Sequence, residues 1–451
     1  MQLNRPRNVR PNFSLEAMLG RTAKARILLA LSSSVYAAAL MYFLAVYAST
    51  EWSNYGFSYV GINAVDFLVL GITVLYWSMV LPTQLDRPSS MFLFFIYALV
   101  CLPAVILMLS LDRPSKGWYY PLLTTLVLSF GLTCHLVRRL KWAPGRRFFS
   151  NKFHASLFIF WIVLLLFLLY KFGSVMGFST LDLIYDQREA GAAKNLVEGY
   201  AQTYFGYVVS TTLVAVGFFL GNIRLIFFGF IGAVVLYMIS AEKAIFMYPF
   251  FIAVIYQILT VKTTFFRQIS FLLLCFSLLI LLPLPFVKDS SIAAFFAWYV
   301  GIRSIFLPGG VVVYYYDFFS ANGYTFLSHV TGFSLLIDAP RVYSTDPKWP
   351  SIGYLIGDRY FGLPTMNANA NFIASDGVAG FGIAGVFIAF ALFAGFLIVL
   401  DRVTRGAPLS LTLPPLVPLA LTLTNGSIFT SLTSFGGILF ILCFRFFLKR
   451  K

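Results

Sequence analysis

Long apolar stretches alternate with short polar ones along the chain, and their lengths set the first expectation. At about 1.5 Å of rise per helical residue, a hydrocarbon layer about 30 Å thick takes roughly 20 apolar residues. Stretches of about that length, a few shorter, begin near Ile27, Val60, Met91, Pro121, Ala155, Tyr204, Leu225, Ala244, Ile269, Val378, Leu409 and Ser431. They predict an all-α polytopic membrane protein of about twelve transmembrane helices, with a large loop between the ninth and tenth spans. A further stretch, Ser291 to Phe319, is apolar but broken by Arg303, Pro308, Gly309 and Gly310. It is expected to be re-entrant or interfacial, because irregular backbone persists at membrane depth only against protein or water. The first stretch, about 23 residues, is too long for a signal-peptide core and reads as a retained span.

Composition agrees. Of 451 residues, 59% are hydrophobic and only 11% charged, against a usual charged share of about 25%. A single integral-membrane domain over 1–451 is the simplest organisation. Cys101, Cys134, Cys275 and Cys443 all lie in apolar runs, which argues against disulfide, zinc or thiol chemistry. No acidic pair has a metal-ligand spacing, so no metal or other cofactor is expected.

The net charge of +16 first suggests an anionic partner. Twelve spans starting inside place 22 of the 33 basic residues on the inner side and 11 outside, and 13 of the 17 acidic residues outside. Glu16, Asp86 and Asp401 fall inside and Asp66 within a span. The surplus therefore reports orientation, with both termini on the cytoplasmic side, and no nucleic-acid partner is expected.

Two outer loops are long, about residues 173–203 and 287–377, and loops this long are usually functional. The first carries Leu-Asp-Leu-Ile-Tyr-Asp-Gln-Arg-Glu over 181–189. The second carries Arg303 and Pro308 before Tyr314-Tyr315-Tyr316-Asp317-Phe318-Phe319, then His329, Arg341, and Asp358-Arg359-Tyr360. Asn367, Asn369 and Asn371 follow at alternate positions, then Asp376 and the glycines 377, 380, 382 and 385. Tyrosines suit a membrane interface and equally suit sugar rings. Alternating asparagines either line a sugar site or turn the chain into the tenth span. No strand precedes the glycines, so close helix packing accounts for them better than a dinucleotide loop. Lys243, in Ser-Ala-Glu-Lys at an outer hairpin, either snorkels beside Glu242 or joins Arg188 and Arg303 in a cationic pocket suited to phosphate.

The Tyr185 to Glu189 loop, the Ser240 to Lys243 hairpin, Arg303 with Pro308 before the Tyr315 to Phe319 run, and Tyr360 through Asn369 to Gly385 together resemble the Wzy-type O-antigen and oligosaccharide repeat-unit polymerases of bacterial inner membranes. The similarity covers roughly residues 180–390. The N-terminal third matches in hydropathy only. An Arg, ten residues, Gly spacing associated with the family occurs at Arg188 and Gly199; Arg303, Arg341 and Arg359 lack it, with Tyr314, Ile352 and Ala370 at the matching positions.

The resemblance implies a glycosyltransferase of the bacterial inner membrane that polymerises undecaprenyl-pyrophosphate-linked glycans at the periplasmic face, with a chain-length regulator protein as a further partner beside membrane lipids. An acceptor hydroxyl attacks an anomeric carbon and lipid pyrophosphate leaves. Arg188, Lys243 and Arg303 would stabilise the leaving charge, and Asp317 and His329, with Glu189 and Asp376 behind them, are candidates to orient or deprotonate the hydroxyl. Tyr315, Tyr316, Arg341, Arg359, Tyr360, Asn367, Asn369, Asn371 and Asp376 are candidate substrate contacts. The rival readings are the O-antigen ligase, which shares the donor, and a lipid-linked oligosaccharide transporter or flippase, which would carry ionisable groups at mid-membrane.

Overall fold

The computed structural model describes residues 15–112, 115, 117–178 and 184–450; at 15–21, 54, 151, 185 and 450 only the backbone is described. Arg5, Arg7, Arg10, Arg113, Lys116, Lys451 and the Leu181-Asp182-Leu183 part of the first long loop lie outside the described residues, as do the side chains of Arg21, Tyr185 and Arg450. Over the described residues the chain is helical nearly throughout, and among them eleven helices are long and apolar enough to cross a membrane. We label the main helices α1 (Thr22–Glu51), α2 (Ala64–Val80), α3 (Pro88–Ser110), α4 (Tyr120–Arg138), α5 (Lys152–Phe172), α6 (Ile184–Ala190), α7 (Leu196–Leu220), α8 (Ile223–Ser240), α9 (Lys243–Thr260), α10 (Ile269–Phe286), α11 (Ser291–Asn322), α12 (Ile352–Arg359), α13 (Ile373–Thr404), α14 (Leu409–Thr422) and α15 (Ile428–Phe447). Two three-residue strands, β1 (Arg147–Phe149) and β2 (Leu448–Arg450), pair antiparallel.

Polar loop residues start the helices. Asn63 accepts the Asp66 N–H at 2.8 Å, Asn195 that of Glu198 at 3.0 Å, and Ser290 that of Ala293 at 3.3 Å, each satisfying a donor that the first turn leaves open. Pro88 and Pro121 occupy first turns, where no N–H is required. α3 is buried along its whole length and forms the axis around which α1, α2, α4, α11 and α13 pack. α5, α7, α8 and α9 build a second core around Trp161, Phe205 and Leu236. Gly232 of α8 lets the helices close on Ser210 and Trp161, whose indole donates to Ser210 Oγ at 3.2 Å. Ile159, Val163 and Leu166 on the outer face of α5 are more than half exposed, as expected of side chains that meet lipid.

Contacts divide the molecule into two ends. At the basic end Arg26 donates to the Ser78 and Leu81 carbonyls, Arg138 to Val80, Arg87 to Leu140, the Leu85 N–H to Arg267, and β1 meets β2. At the far end the Val60 N–H reaches Ser110, Gly177 reaches Met238, and Tyr204 reaches Thr433. Arg26, Arg87, Arg138, Arg147 and Arg267 thus gather at one end of the molecule. Asp66 is a correction: α2 begins at Ala64, so Asp66 sits in the first turn, buried and accepting from Tyr120 at 2.7 Å, rather than well inside a span.

The segment read as broken at Pro308 is one continuous helix, α11. Ala297–Phe306 takes up π-type bonding immediately before Pro308, so the proline's missing N–H falls where the hydrogen-bond register is already shifted. Asn371 Nδ2 donates to the Pro308 carbonyl at 2.6 Å. Both ends of α11 stay at the far end: Trp298 stacks 6.3 Å from Trp52, while Asp317 is bonded to Trp118 and Tyr119. Its middle, Gly301 and Gly309, presses on Phe43 of α1 and on Pro103 and Ala104 of α3. α13 is kinked at Phe381 and Gly382, where Gly382 has φ +62° and lies under the Tyr324 ring.

Candidate functional site

α6 docks on the turn between α8 and α9. Gln187 Nε2 donates to the Val175 and Met238 carbonyls at 2.7 Å each. Gly191 packs so closely on the Ile239 carbonyl that no Cβ would fit. Next door, Ala241 ends α8 with φ 51° and turns its carbonyl toward Arg188 Nη2, at 3.5 Å. Lys243 follows two residues on, its ammonium 5.8 Å from the Phe295 ring of α11, and Arg303 lies over Trp298 at 5.9 Å. The Phe295 and Trp298 rings are themselves 5.9 Å apart, which sets Lys243 and Arg303 against one aromatic patch. Three cations from three separate segments thus share one locality at the far end. Glu242 does not neutralise Lys243: its Oε2 accepts from Tyr207 at 2.7 Å. Among the described residues neither Lys243 nor Arg303 forms an ion pair. Like charges repel when brought together, so Lys243 beside Arg303 favours an anion there, and the arrangement suits one carrying phosphate.

An aromatic path leads away from Arg303. It runs through Trp298 and Trp52 to Tyr55, whose ring is 5.4 Å from Trp52 and whose carbonyl accepts from Tyr314 at 3.0 Å. It continues from Tyr314 to Tyr360, 5.6 Å apart, and ends at Asp317. There Trp118 Nε1 donates to Oδ1 and Tyr119 to Oδ2, both at 2.8 Å, and Tyr360 donates to Oδ2 at 3.3 Å. Tyr316 adds its ring 5.8 Å from Trp118. Burial, then the Asp317 charge, pushes the Tyr119 and Tyr360 hydroxyls well above their ordinary value, so both remain donors.

His329 stands apart from both groups. Thr325 Oγ1 donates to the Ala379 carbonyl at 3.0 Å and therefore accepts from His329 Nδ1, 2.8 Å away. Nε2 is left as a bare acceptor, sealed from solvent without a partner. Burial lowers the imidazole to about 4, so the ring is neutral at pH 7.

Several expected substrate contacts serve the scaffold. Tyr315 is fully buried and donates to the Ala368 carbonyl at 3.0 Å. Asn371 is buried too, and its Oδ1 caps the start of α13 by accepting from Ile373 and Ala374 at 3.1 and 3.2 Å. Asp376 accepts from the Ile428 N–H at 2.6 Å and from Ser375, capping α15, so it offers no free base. Arg359 is paired at 2.6 Å with Asp346, while Lys348 bridges Asp358 and the Pro364 carbonyl; these ties fold the second loop on itself. Asn367 and Asn369 remain exposed, alternating with buried Ala368 and Ala370, and Glu189 and Arg341 are exposed. The residues that sequence reasoning missed are Trp52, Trp118, Tyr119 and Trp298. The only signal was the density of aromatics in three short segments, around Trp52, Trp118 and Trp298.

Comparison of the chain with protein-family models, with characterised proteins and with solved structures finds no match.

Proposed function

We propose that the protein polymerises lipid-pyrophosphate-linked oligosaccharide repeat units, as the resemblance to the Wzy-type polymerases implies, at the end of the molecule away from its basic loops, taken as the periplasmic face of the bacterial inner membrane. The observation that carries the reading is the convergence of Arg188, Lys243 and Arg303. Negative charge builds on the pyrophosphate as the glycosidic bond to it breaks, and fixed cations in a partly desolvated site lower that barrier. Arginine supplies a planar fork that binds phosphate oxygens in pairs and keeps its charge at any relevant pH.

Arg303 and Asp317 are 14 residues apart on α11, about 21 Å of helical rise. The carboxylate therefore serves a different part of the substrate from the cations. Exposed Tyr360 and the rings beside it suit the acceptor glycan, with Asp317 orienting hydroxyls. A flippase would be expected to carry an ionisable group in mid-membrane; Asp66, in a first turn and held by Tyr120, does not fit that role.

The test is purified protein incubated with lipid-pyrophosphate repeat units and read as a gel ladder. Arg188→Ala, Lys243→Ala and Arg303→Ala should each slow ladder growth about 10²- to 10³-fold, the usual cost of removing one transition-state donor. Ladders that need a second enzyme, or that persist unchanged in all three variants, would sink the proposal. Deletion in the native strain separates the rivals: loss of a polymerase leaves lipid A-core carrying one repeat, and loss of a ligase leaves none.

A further inference from the structure

At the basic end, five arginines from three segments line a bowl of about 610 Å³: Arg146 and Arg147 at β1, Arg402 and Arg405 around the end of α13, and Arg445 of α15. Among the described residues no carboxylate lines it. Arg147 is fixed in its wall, donating to the Val403, Arg405 and Leu448 carbonyls at 3.3, 3.0 and 2.8 Å, and its own N–H bonds to the Gly406 carbonyl. Arg146, Arg402, Arg405 and Arg445 are exposed and form no ion pair among the described residues. The positive-inside tendency explains why these residues are basic. It does not explain why they surround one concavity, where mutual repulsion is greatest.

An apolar groove adjoins the bowl along the same elements. Phe149 stands two residues after Arg147 on β1, and Phe444 next to Arg445 on α15; both line a cavity of about 210 Å³ with Phe153, Phe160, Val208 and Phe440. Along α5 the groove runs from Phe153 to Phe160, seven residues and about 10 Å of helix, or about a third of a hydrocarbon core about 30 Å thick. The groove thus lies within one leaflet.

We infer that the bowl and groove together bind one anionic phospholipid of the leaflet at the basic end, with its phosphate among Arg402, Arg405 and Arg445 and a hydrocarbon chain between α5, α7 and α15. Arginine pairs with phosphate oxygens bidentately, and the groove takes a single chain. A soluble phosphate would leave the groove empty, and a zwitterionic lipid would leave the cations without a net countercharge.

The experiment uses full-length protein stripped of lipid in neutral detergent, with three probes: phosphatidylglycerol, phosphatidylcholine and glycerol 3-phosphate. Binding is read as retained adducts in native mass spectrometry and as a shift in melting temperature. Phosphatidylglycerol should be retained at least 10-fold more than phosphatidylcholine, and glycerol 3-phosphate at equal concentration should give no shift. The exposed-site variants Arg402→Gln, Arg405→Gln and Arg445→Gln, combined, should abolish the preference. Ser156→Trp, an exposed position at the groove edge, should weaken phosphatidylglycerol binding with every arginine intact. Equal retention of the two lipids, a glycerol 3-phosphate shift as large as the lipid's, or an unaffected Ser156→Trp variant would each overturn the inference. If the triple variant does not fold, Arg445→Gln alone should lower retention severalfold, and no change there has the same force.

Discussion

At the scale of single residues, Asp317 and His329 show how differently two candidate acid–base groups can be held. Asp317 accepts three hydrogen bonds from aromatic donors, and hydrogen bonds to a charged group contribute about 1.5–3 kcal/mol each when buried. Asp317→Asn keeps the shape but replaces one acceptor oxygen with a donor facing donors. It should cost about 2 kcal/mol, read as a lower melting temperature in detergent, whereas Asn369→Ala at an exposed position should be neutral. His329 enters the fold neutral, with its imidazole lowered to about 4 from an ordinary value near 6.5. The unfolded chain binds the proton first as pH falls, so the stability tied to this ring is whole above about 6.5 and is lost as pH drops through 4. The loss amounts to about 3 kcal/mol. His329→Gln should remove that part of the acid sensitivity, and melting curves at pH 7 and pH 4.5 check it; equal slopes in both proteins would refute the assignment. The cations of the candidate site were legible in the sequence because each stands in a distinctive local string. The partners of Asp317 were not: Trp118 lies 199 residues away, and nothing local announces such a pair.

Among the elements, α11 departs furthest from expectation. Pro308 and two glycines read as interruption, yet in a helix whose bonding has already shifted to π type a proline removes little. The glycines serve packing, since a Cβ on Gly309 would lie 2.7 Å from the Ala104 nitrogen and 2.8 Å from Pro103 Cβ, atoms that cannot yield without moving α3. Gly309→Val should therefore abolish stable expression or lower the melting temperature sharply. Gly71 of α2 has nothing within 4 Å of a built Cβ, so Gly71→Ala should be neutral or stabilising by up to about 1 kcal/mol. Most helices could be read from apolar length alone. Their starts could be read less well, because α7 begins at Leu196, inside what the hydropathy pattern assigned to a loop, where Asn195 caps it. Capping is a local polar event that an apolar window averages away.

For the molecule as a whole, the division of basic residues anticipates the two ends found in space, because each loop's charge is set independently of its tertiary partners. Single cysteines in a cysteine-free background test the sidedness. A cysteine at Leu335, 86% exposed at the far end, should react with a membrane-impermeant maleimide in intact cells. One at Lys449, beside β1, should react only after permeabilisation. The reverse pattern would invert the molecule and remove the periplasmic reading of the cation site. The helix whose two ends both stay at the far end also bears on parity. Among the described residues eleven helices are long enough to cross, an odd count that would put the first and last of them on opposite sides. α11 is among them and does not traverse, while the shorter α2 and α14 connect the two ends and complete an even number of passages. A reporter fusion after Asn322 should thus give the same signal as one before Ser291, and length would misjudge the side of every segment beyond it.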